Sequence, residues 1–471
     1  MFPPHPKHHH PWSHLRQTLF LLLASSSPTI HASQQPRDLP TRDWTRSSWT
    51  VHHHHHHPTC PLPTDASPWS LPPLCPEPVG DAGGDDDDHE NTWTPPTKAT
   101  TDCVFTALHF RGGQGFSLIT TPEIAASVAG SGALDDGDVA GVLRGQLAAY
   151  RTAGAAATDN TSRGDSNLAW TPAYEIRDIP GRDKGMIAAS ALNGHEIIMT
   201  GFPVLVIRMD FVNGEVFSEG QKRSMMDVGL RRLGEEQWAA VMGLAKMSGD
   251  ENVVLDVLQT NGFGVEIGGV PHLALFIDGS RVNHDCHPNA FWRFNGNKMA
   301  MEIVSLRPIQ PGEEVTHSYA PLGYPHSDRQ TILQPWGFTC TCDLCTAPEE
   351  VRSLSDTRRS RLIDIHHTLG QAADLGDGES QEKCEKRIGE LVLEAFSLIE
   401  QEDLYPQLVE YYERFARAYL MVGDVKRGRA FAEETERMWL LFGGGEEHEY
   451  VDGMKALWAA VKEAEEEQDE E

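Results

Sequence analysis

The chain has 471 residues, enough for two or three domains, and its 69 Asp and Glu against 39 Lys and Arg give a formal net charge of −30. This balance argues against an autonomous nucleic-acid-binding protein and favours a basic protein partner or substrate, unless the acidity serves solubility alone. After the apolar run at residues 19–24, no segment approaches the ~18 apolar residues of a membrane span.

The N-terminal segment, residues 1–32, resembles a weak secretory signal. Lys7 and Arg16 precede the apolar run 19–24, and small residues follow it. Because this resemblance to a signal is weak, we favour the nucleus or cytoplasm as the location. Secretion is the alternative if this segment is cleaved. Residues 33–100 are rich in Pro, Ser, Thr, His and Asp, including six consecutive histidines. Such a composition cannot bury a core and predicts disorder.

Short strands are predicted for the middle of the chain. Residues 101–125 are typical of a β-hairpin around a Gly-rich turn, and residues 126–171 are typical of a linker because no periodicity is sustained there. From 172 to 320, apolar runs broken by PG, NG and FP predict short strands and tight turns. Helical periodicity interrupts them at about 218–258.

The remainder of the chain is predicted to be helical. A short cysteine-rich loop (321–346) precedes a region (350–471) whose apolar spacing predicts amphipathic helices, two of which loosely resemble a tetratricopeptide pair. These helices are a possible docking site for a protein partner. The expected fold class is therefore α+β, with short curved β-sheets, a helical insertion, an α-helical C-terminal region and a disordered N-terminus.

A cluster of cysteines near the end of the β-rich region predicts a metal site. Three of the eight cysteines fall within six residues, a spacing that indicates metal ligands more than a disulfide framework. These are Cys340, Cys342 and Cys345. Because zinc prefers four tetrahedral ligands, a fourth must come from elsewhere, and Cys286 is the best candidate. The alternatives are Cys384, His366 and His367. Four thiolates would leave no open position for water, which predicts a structural zinc.

Three ordered motifs carry a family resemblance. They are SRVNHDCHPNA (280–290), PGEEVTHSYA (311–320) and WGFTCTCDLC (336–345). Together with GMIA and NGHEII upstream, they resemble the core of a SET-domain protein methyltransferase with its post-SET zinc loop, over about 172–346. The helical insertion resembles that of the SET-and-MYND subgroup and of fungal relatives, although the cysteines of a MYND finger are missing. The resemblance also implies the pseudoknot of the SET fold.

The resemblance implies S-adenosylmethionine as the methyl donor and a lysine amine of a basic protein as the acceptor. Tyr319 corresponds to the catalytic tyrosine, and Trp336 lies with it in the substrate channel. The implied donor contacts are Lys184, Gly185, Asn261, Ser280, Asn283, His284 and Phe338. Methyl transfer needs a neutral amine aligned with the S–CH3 bond, so catalysis is mostly positioning, and Tyr319 is expected to orient the amine.

Three positions depart from the family pattern. Asp183 replaces the first glycine of G-x-G, Asp285 replaces the serine of N-H-S-C, and Trp336 stands where relatives carry a channel tyrosine. GGQGFSLIT (112–120) fits G-x-G more literally, but only after 183–185 do NGHEII and PVLVI follow in the family's order. Because Asp183 bears on donor binding, an inactive SET-derived binding protein is a second hypothesis. A secreted metal-binding protein, suggested by the N-terminal apolar run, is a third.

Overall fold

A computed structural model describes residues 68–76, 101–134, 173–247, 249, 252–371, 381–442 and 448–470. The signal-like segment 1–32, most of the stretch 33–100 and most of the predicted linker lie outside these residues. The first residues of the predicted linker, by contrast, belong to a helix that ends at Gly130. No helix in the described part of the chain combines the length and apolar character needed to cross a membrane.

The described residues form strands and helices in the following order. The strands are β1 (Leu71–Leu74), β2 (Cys103–Ala107), β3 (Phe116–Thr120), β4 (Tyr174–Ile179), β5 (Asp183–Ala188), β6 (Ile197–Gly201), β7 (Leu205–Arg208), β8 (Phe263–Ile267), β9 (Val270–Leu275), β10 (Asn283–His284), β11 (Ala290–Asn295), β12 (Ala300–Ser305) and β13 (Glu314–His317). The helices are α1 (Phe110–Gly113), α2 (Pro122–Gly130), α3 (Met209–Asn213), α4 (Glu219–Arg231), α5 (Glu235–Met242), α6 (Val253–Asn261), α7 (His326–Leu333), α8 (Asp343–Thr346), α9 (Glu349–Gly370), α10 (Gln381–Glu402), α11 (Leu408–Met421), α12 (Val425–Phe442) and α13 (His448–Glu470).

The largest sheet has six strands in the order β1-β2-β3-β7-β9-β8. The predicted hairpin at 101–125 is formed by β2 and β3, with Cys103 opposite Thr120. It is not a separate unit, because β3 pairs in parallel with β7, Leu118 lying opposite Val206. Every residue of β2 and β3 is buried, so the rest of the domain covers both faces of this hairpin.

Strand β1 is a departure from the predicted disorder of residues 33–100. It pairs antiparallel with β2, and a disulfide between Cys75 and Cys103 ties it there. The expectation of disorder does not hold at residues 68–76, because the Trp69 ring packs against Phe105 and Phe116 with centroid distances of 5.5 and 6.2 Å. One buried aromatic and one covalent link thus hold a short segment whose surroundings are compositionally poor in apolar residues.

Two smaller sheets, with orders β10-β13-β5-β4 and β11-β12-β6, complete the strand-rich part. Asn283 of β10 lies opposite Thr316 of β13 in a parallel pair, and β13 in turn pairs with β5. This arrangement brings the start of β5 beside the segment that contains Asn283. The helices α4 to α6 are inserted between β7 and β8. The predicted α+β fold with short sheets, inserted helices and a helical C-terminal region is confirmed, and the pseudoknot stays a prediction.

The C-terminal helices α9 to α13 have a core of their own. Tyr419 and Phe431 stack between α11 and α12 with centroids 5.7 Å apart. This region also contacts the strand-rich part, since the Phe291 and Phe442 rings lie 4.7 Å apart and Arg293 donates to the Leu441 carbonyl. The helical region is therefore packed against β11, the strand that follows the motif 280–290.

Candidate active site and metal centre

Four cysteine thiols meet in one buried cluster. The sulfurs of Cys286, Cys340, Cys342 and Cys345 all lie within 4.8 Å of one another. The Cys286 sulfur is 3.8 Å from that of Cys340 and 3.6 Å from that of Cys345. Sulfurs placed ~2.3 Å from a tetrahedral zinc ion are about 3.8 Å apart, so the cluster fits a metal ion of this kind. The cluster can hold a metal, and Cys286 completes the loop of three.

The alternative fourth ligands lie elsewhere. Cys384 is buried in the core of the C-terminal helices. The Nε2 atom of His366 accepts a hydrogen bond from Arg414 at 3.1 Å, and the His367 ring lies beside that of His366. These side chains belong to the packing of the helical region. Residue type alone could not exclude them as metal ligands, because their distance from the sulfur cluster depends on the fold.

Hydrogen bonds among the four thiols shift their pKa values in opposite directions. They lower the pKa of the Cys342 thiol to about 5 and also lower that of Cys345, whereas the pKa values of Cys286 and Cys340 are raised. A guanidinium, that of Arg329, donates to the Cys345 sulfur at 3.9 Å. Metal ions bind thiolates, so all four thiols would release their protons on binding one.

His284 connects this cluster to Tyr319. Its Nδ1 accepts from the Tyr319 backbone N–H at 3.0 Å, and because a backbone N–H can only donate, the ring proton belongs on Nε2. That Nε2 lies 3.3 Å from the Cys286 sulfur. Burial lowers the pKa of His284 to about 4, so the ring is neutral at physiological pH. Both ring nitrogens of His284 are therefore engaged within the protein, and its predicted contact with a methyl donor stays a prediction.

Tyr319 lies just beyond the end of β13, among aromatic rings. Its hydroxyl donates to the Val282 carbonyl at 3.0 Å, and its ring centroid is 5.5 Å from Trp336 and 6.3 Å from Phe338. Trp336 is fixed in turn by a 3.1 Å bond from Nε1 to the Thr260 carbonyl. Burial raises the pKa of the phenol above its ordinary value. The hydroxyl is therefore neutral and oriented, and it is unsuited to act as a base.

Gly185 occupies a place where a side chain cannot fit. A Cβ there would come within 2.1 Å of Ile179 Cδ1 and within 2.9 Å of both the Asn283 amide and the Glu314 carboxylate. The Asn283 amide donates to the Lys184 carbonyl at 3.2 Å and to Glu314 at 2.8 Å. These bonds tie β10 to β5, and we call this closely packed junction the Gly185 cradle.

The other predicted donor contacts surround the same segment. The Ser280 hydroxyl donates to the Asn261 carbonyl at 3.1 Å. The Asn261 amide donates to the carbonyls of Ala245 and Val257, at 2.8 and 2.7 Å. Phe338 is 38% exposed and its ring centroid lies 6.1 Å from that of His284. The structure thus gathers the predicted residues around positions 280–284, although their roles toward a donor stay predictions.

Asp183 adopts the backbone conformation of the glycine it replaces. Its φ is +56°, in the left-handed region that favours Gly and tolerates Asp better than most residues. Its carboxylate is 69% exposed and lies 4.0 Å from Arg281 Nη1, while Arg281 Nη2 donates to the Gly243 carbonyl at 2.8 Å. The added negative charge therefore has a cation beside it. Sequence reasoning missed Arg281 although it lies inside the motif 280–290.

Comparisons with known proteins agree with this arrangement. Residues 183–320 match the family described as SET domain, and this range begins at the later of the two G-x-G alignments. The histone-lysine N-methyltransferase set5 of Schizosaccharomyces pombe is 28% identical over 181 residues, which are 38% of this chain and 54% of that protein. The N-lysine methyltransferases SMYD2 of Homo sapiens and Gallus gallus are 36% and 37% identical over 120 and 126 residues, 24% of this chain. The chain spans 54% of the set5 length, but only 27% and 28% of the two SMYD2 proteins.

Proposed function

The chain carries a SET domain at residues 183–320, and on that premise we propose that it is an S-adenosylmethionine-dependent protein-lysine N-methyltransferase with a structural zinc ion. The observation that carries the proposal is the convergence at Tyr319. Its hydroxyl bonds to Val282, its backbone to His284, and its ring lies beside Phe338. The names of the relatives, lysine methyltransferases in each case, support the same activity.

The chemistry assigned to this site is positioning. S-adenosylmethionine supplies a methyl group on a positively charged sulfur, and the acceptor amine must be neutral to attack it. Tyr319, with a raised phenol pKa, orients that amine and leaves its deprotonation to water. The Gly185 cradle and the Phe338 ring would hold the donor. The aromatic rings of Tyr319 and Trp336 suit a methylated ammonium product.

The proposed metal has a structural role. Cys286 belongs to the segment that contacts Tyr319 through His284, and the other three cysteines follow Phe338 in the chain. Zinc bound to all four thiolates would hold these two segments together and leave no position for water. Elemental analysis of the purified protein tests this assignment directly, with one zinc ion per chain expected.

The substrate we propose is a lysine in a basic protein, histone or otherwise. The formal charge of −30 favours a cationic partner and disfavours direct binding of nucleic acid. The C-terminal helices, packed against β11, are the proposed partner-binding region. We propose the nucleus or cytoplasm as the location, where the methyl donor is made. Mass spectrometry of the native N-terminus checks this, since cleavage near Ala32 would point to secretion.

The activity is tested with labelled donor on an array of lysine-containing peptides. Wild-type protein should label at least one peptide, and Tyr319→Phe should retain fold and zinc but lose most of the turnover. Tyr324→Phe is the matched control, because its side chain is 39% exposed and turnover should be unchanged. Full turnover by Tyr319→Phe would remove Tyr319 from the mechanism. If the wild type labels none of the peptides, this result would count against the proposed methyltransferase activity.

An inactive SET-derived binding protein is the second candidate. Asp183 favours it, because this residue places a carboxylate where the family has a glycine. Titration of the wild type with S-adenosylmethionine separates the two candidates, since only an enzyme is expected to bind it. If the wild type does not bind S-adenosylmethionine and Asp183→Gly does, the Asp183 carboxylate is the cause of the inactivity.

A further inference from the structure

A buried arginine faces the sulfur cluster from helix α7. Arg329 is 1% exposed, its Nη1 donates to the Tyr324 carbonyl at 2.5 Å, and its Nη2 donates to the Cys345 sulfur at 3.9 Å. The carboxylate paired with it is that of Asp356, at 3.9 Å, and this side chain is 31% exposed. This guanidinium thus contacts the sulfur of a predicted metal ligand.

The neighbouring carboxylate is committed to other cations. Glu402, with a side chain 4% exposed, pairs with Arg359 at 3.0 Å and with Arg358 at 3.2 Å. Arg359 is itself buried to the same degree as Arg329. Arg359 therefore has a buried carboxylate in direct contact, whereas Arg329 leaves an excess of positive charge beside the Cys345 sulfur.

This excess has a simple explanation if the cluster is negatively charged. With four neutral thiols, the carboxylate paired with the buried Arg329 cation would be that of Asp356, at 3.9 Å and 31% exposed. This distance is longer than a hydrogen bond, and such incomplete compensation of a buried charge is unfavourable in a low-dielectric interior. A divalent metal held by four thiolates carries about two negative charges in excess. That charge would offset the Arg329 cation, and the cation would in turn stabilise the thiolates.

We propose that Arg329 is the counter-ion of the metal–thiolate cluster and a positioning residue for it. Its charge-assisted N–H···S bond to Cys345 stabilises the negatively charged cluster against loss of the metal. The inference rests on the proposed zinc ion, and it adds a residue that is not a ligand. Through Cys345, Arg329 would also help to hold the loop that carries Phe338 and Trp336.

The test compares three variants of the full chain. Arg329→Met removes the charge at similar length, Arg329→Lys keeps the charge, and Arg359→Met removes an equally buried arginine that pairs with Glu402. Zinc transfer to a chromophoric chelator is followed well below the unfolding temperature, and each protein is also prepared with Co²⁺ to record its sulfur-to-cobalt absorption band. Arg329→Met should lower metal affinity roughly tenfold to a hundredfold and shift the band. Arg329→Lys should recover much of the affinity, and Arg359→Met should leave the band unchanged.

The outcomes separate this inference from the proposed zinc site. A wild-type protein without bound zinc after purification would overturn both. A zinc-loaded wild type, with Arg329→Met equal to it in affinity and in absorption band, would overturn the Arg329 inference alone. Equal losses in Arg329→Met and Arg359→Met would show an effect of fold stability and would also overturn it. If Arg329→Met does not fold, Arg329→Lys is the deciding variant. Lysine lacks the planar guanidinium group, so the sulfur-to-cobalt absorption band of Arg329→Lys should still be shifted from that of the wild type.

Discussion

The backbone N–H of Tyr319 donates to Nδ1 of His284 over 3.0 Å, and the opposite nitrogen of that ring lies 3.3 Å from the Cys286 sulfur. One neutral imidazole therefore joins the proposed metal site to the residue that carries the proposed catalytic hydroxyl. Displacement of the ring should move the phenol, although His284 has no contact with the acceptor amine in the proposed chemistry.

Substitution of His284 should affect both stability and turnover. His284→Ala leaves the buried Tyr319 N–H without its acceptor, so we expect the free energy of unfolding to fall by about 1–3 kcal/mol and turnover to fall with it. His284→Asn retains an acceptor oxygen near the position of Nδ1 and should keep more of the stability. Urea unfolding and methyl incorporation at saturating donor measure the two effects. An alanine variant with wild-type values of both would disprove the link.

Gly185→Ala should damage the donor site. The added Cβ would collide with Ile179 of β4 and press on Asn283 of β10. These two strands must then move away from β5, at a cost of about 1–3 kcal/mol. Gly264→Ala is the matched control, because a Cβ there meets nothing within 4 Å. Calorimetric titration with S-adenosylmethionine should show weaker binding only for Gly185→Ala. Equal donor affinities for the two variants would mean that Gly185 is not part of the donor site.

His272 should make stability depend on pH. This ring is fully buried, its Nδ1–H donates to the Val270 carbonyl at 2.7 Å, and its Nε2 accepts from Thr120 at 3.1 Å. Burial lowers the pKa of His272 from 6.5 to about 4, against the opposing effect of the Val270 hydrogen bond and with smaller effects from Arg208 and Asp102. The folded protein therefore holds the ring neutral over a range in which the unfolded chain binds a proton.

The sign of the effect follows from this difference. Between pH 6.5 and 4 the unfolded state binds more protons at His272, so the stabilisation is complete above pH 6.5 and is lost as the pH falls toward 4. We expect this residue to contribute about 3 kcal/mol to the change in unfolding free energy. His272→Gln should show a shallower decline between pH 7 and 4.5 in urea unfolding. An unchanged slope would contradict the assignment.

The Cys75–Cys103 disulfide should stabilise the six-stranded sheet. It closes a loop of sequence separation 28, for which a loss of about 2–4 kcal/mol is expected in Cys75→Ser. Reductant should destabilise the wild type by a similar amount and leave Cys75→Ser unchanged. Urea unfolding with and without reductant provides the comparison. Equal stability of both proteins in the absence of reductant would show that the bond contributes nothing.

Sequence patterns predicted what depends on local spacing. The three cysteines within six residues predicted a metal site, because the type and spacing of the ligands are local features. Cys286 was the best candidate for the fourth ligand, and three alternatives stayed open because that choice depends on the fold. Strand β1 escaped prediction because composition averaged over 33–100 hides four residues held by a distant aromatic core. Arg329 escaped because no local pattern distinguishes a buried arginine from an exposed one. The engagement of both His284 nitrogens likewise depends on residues far away in sequence.

Among the residues that the structure describes, strand β1 is the edge of its sheet, and its middle residues are Pro72 and Pro73. Adjacent residues of a strand direct their backbone N–H positions to opposite sides, so one of the two prolines faces the free edge and offers no amide hydrogen there. Pairing of another strand on this side is thereby disfavoured. The two prolines of β1 thus help to protect the protein from aggregation through this edge of the sheet.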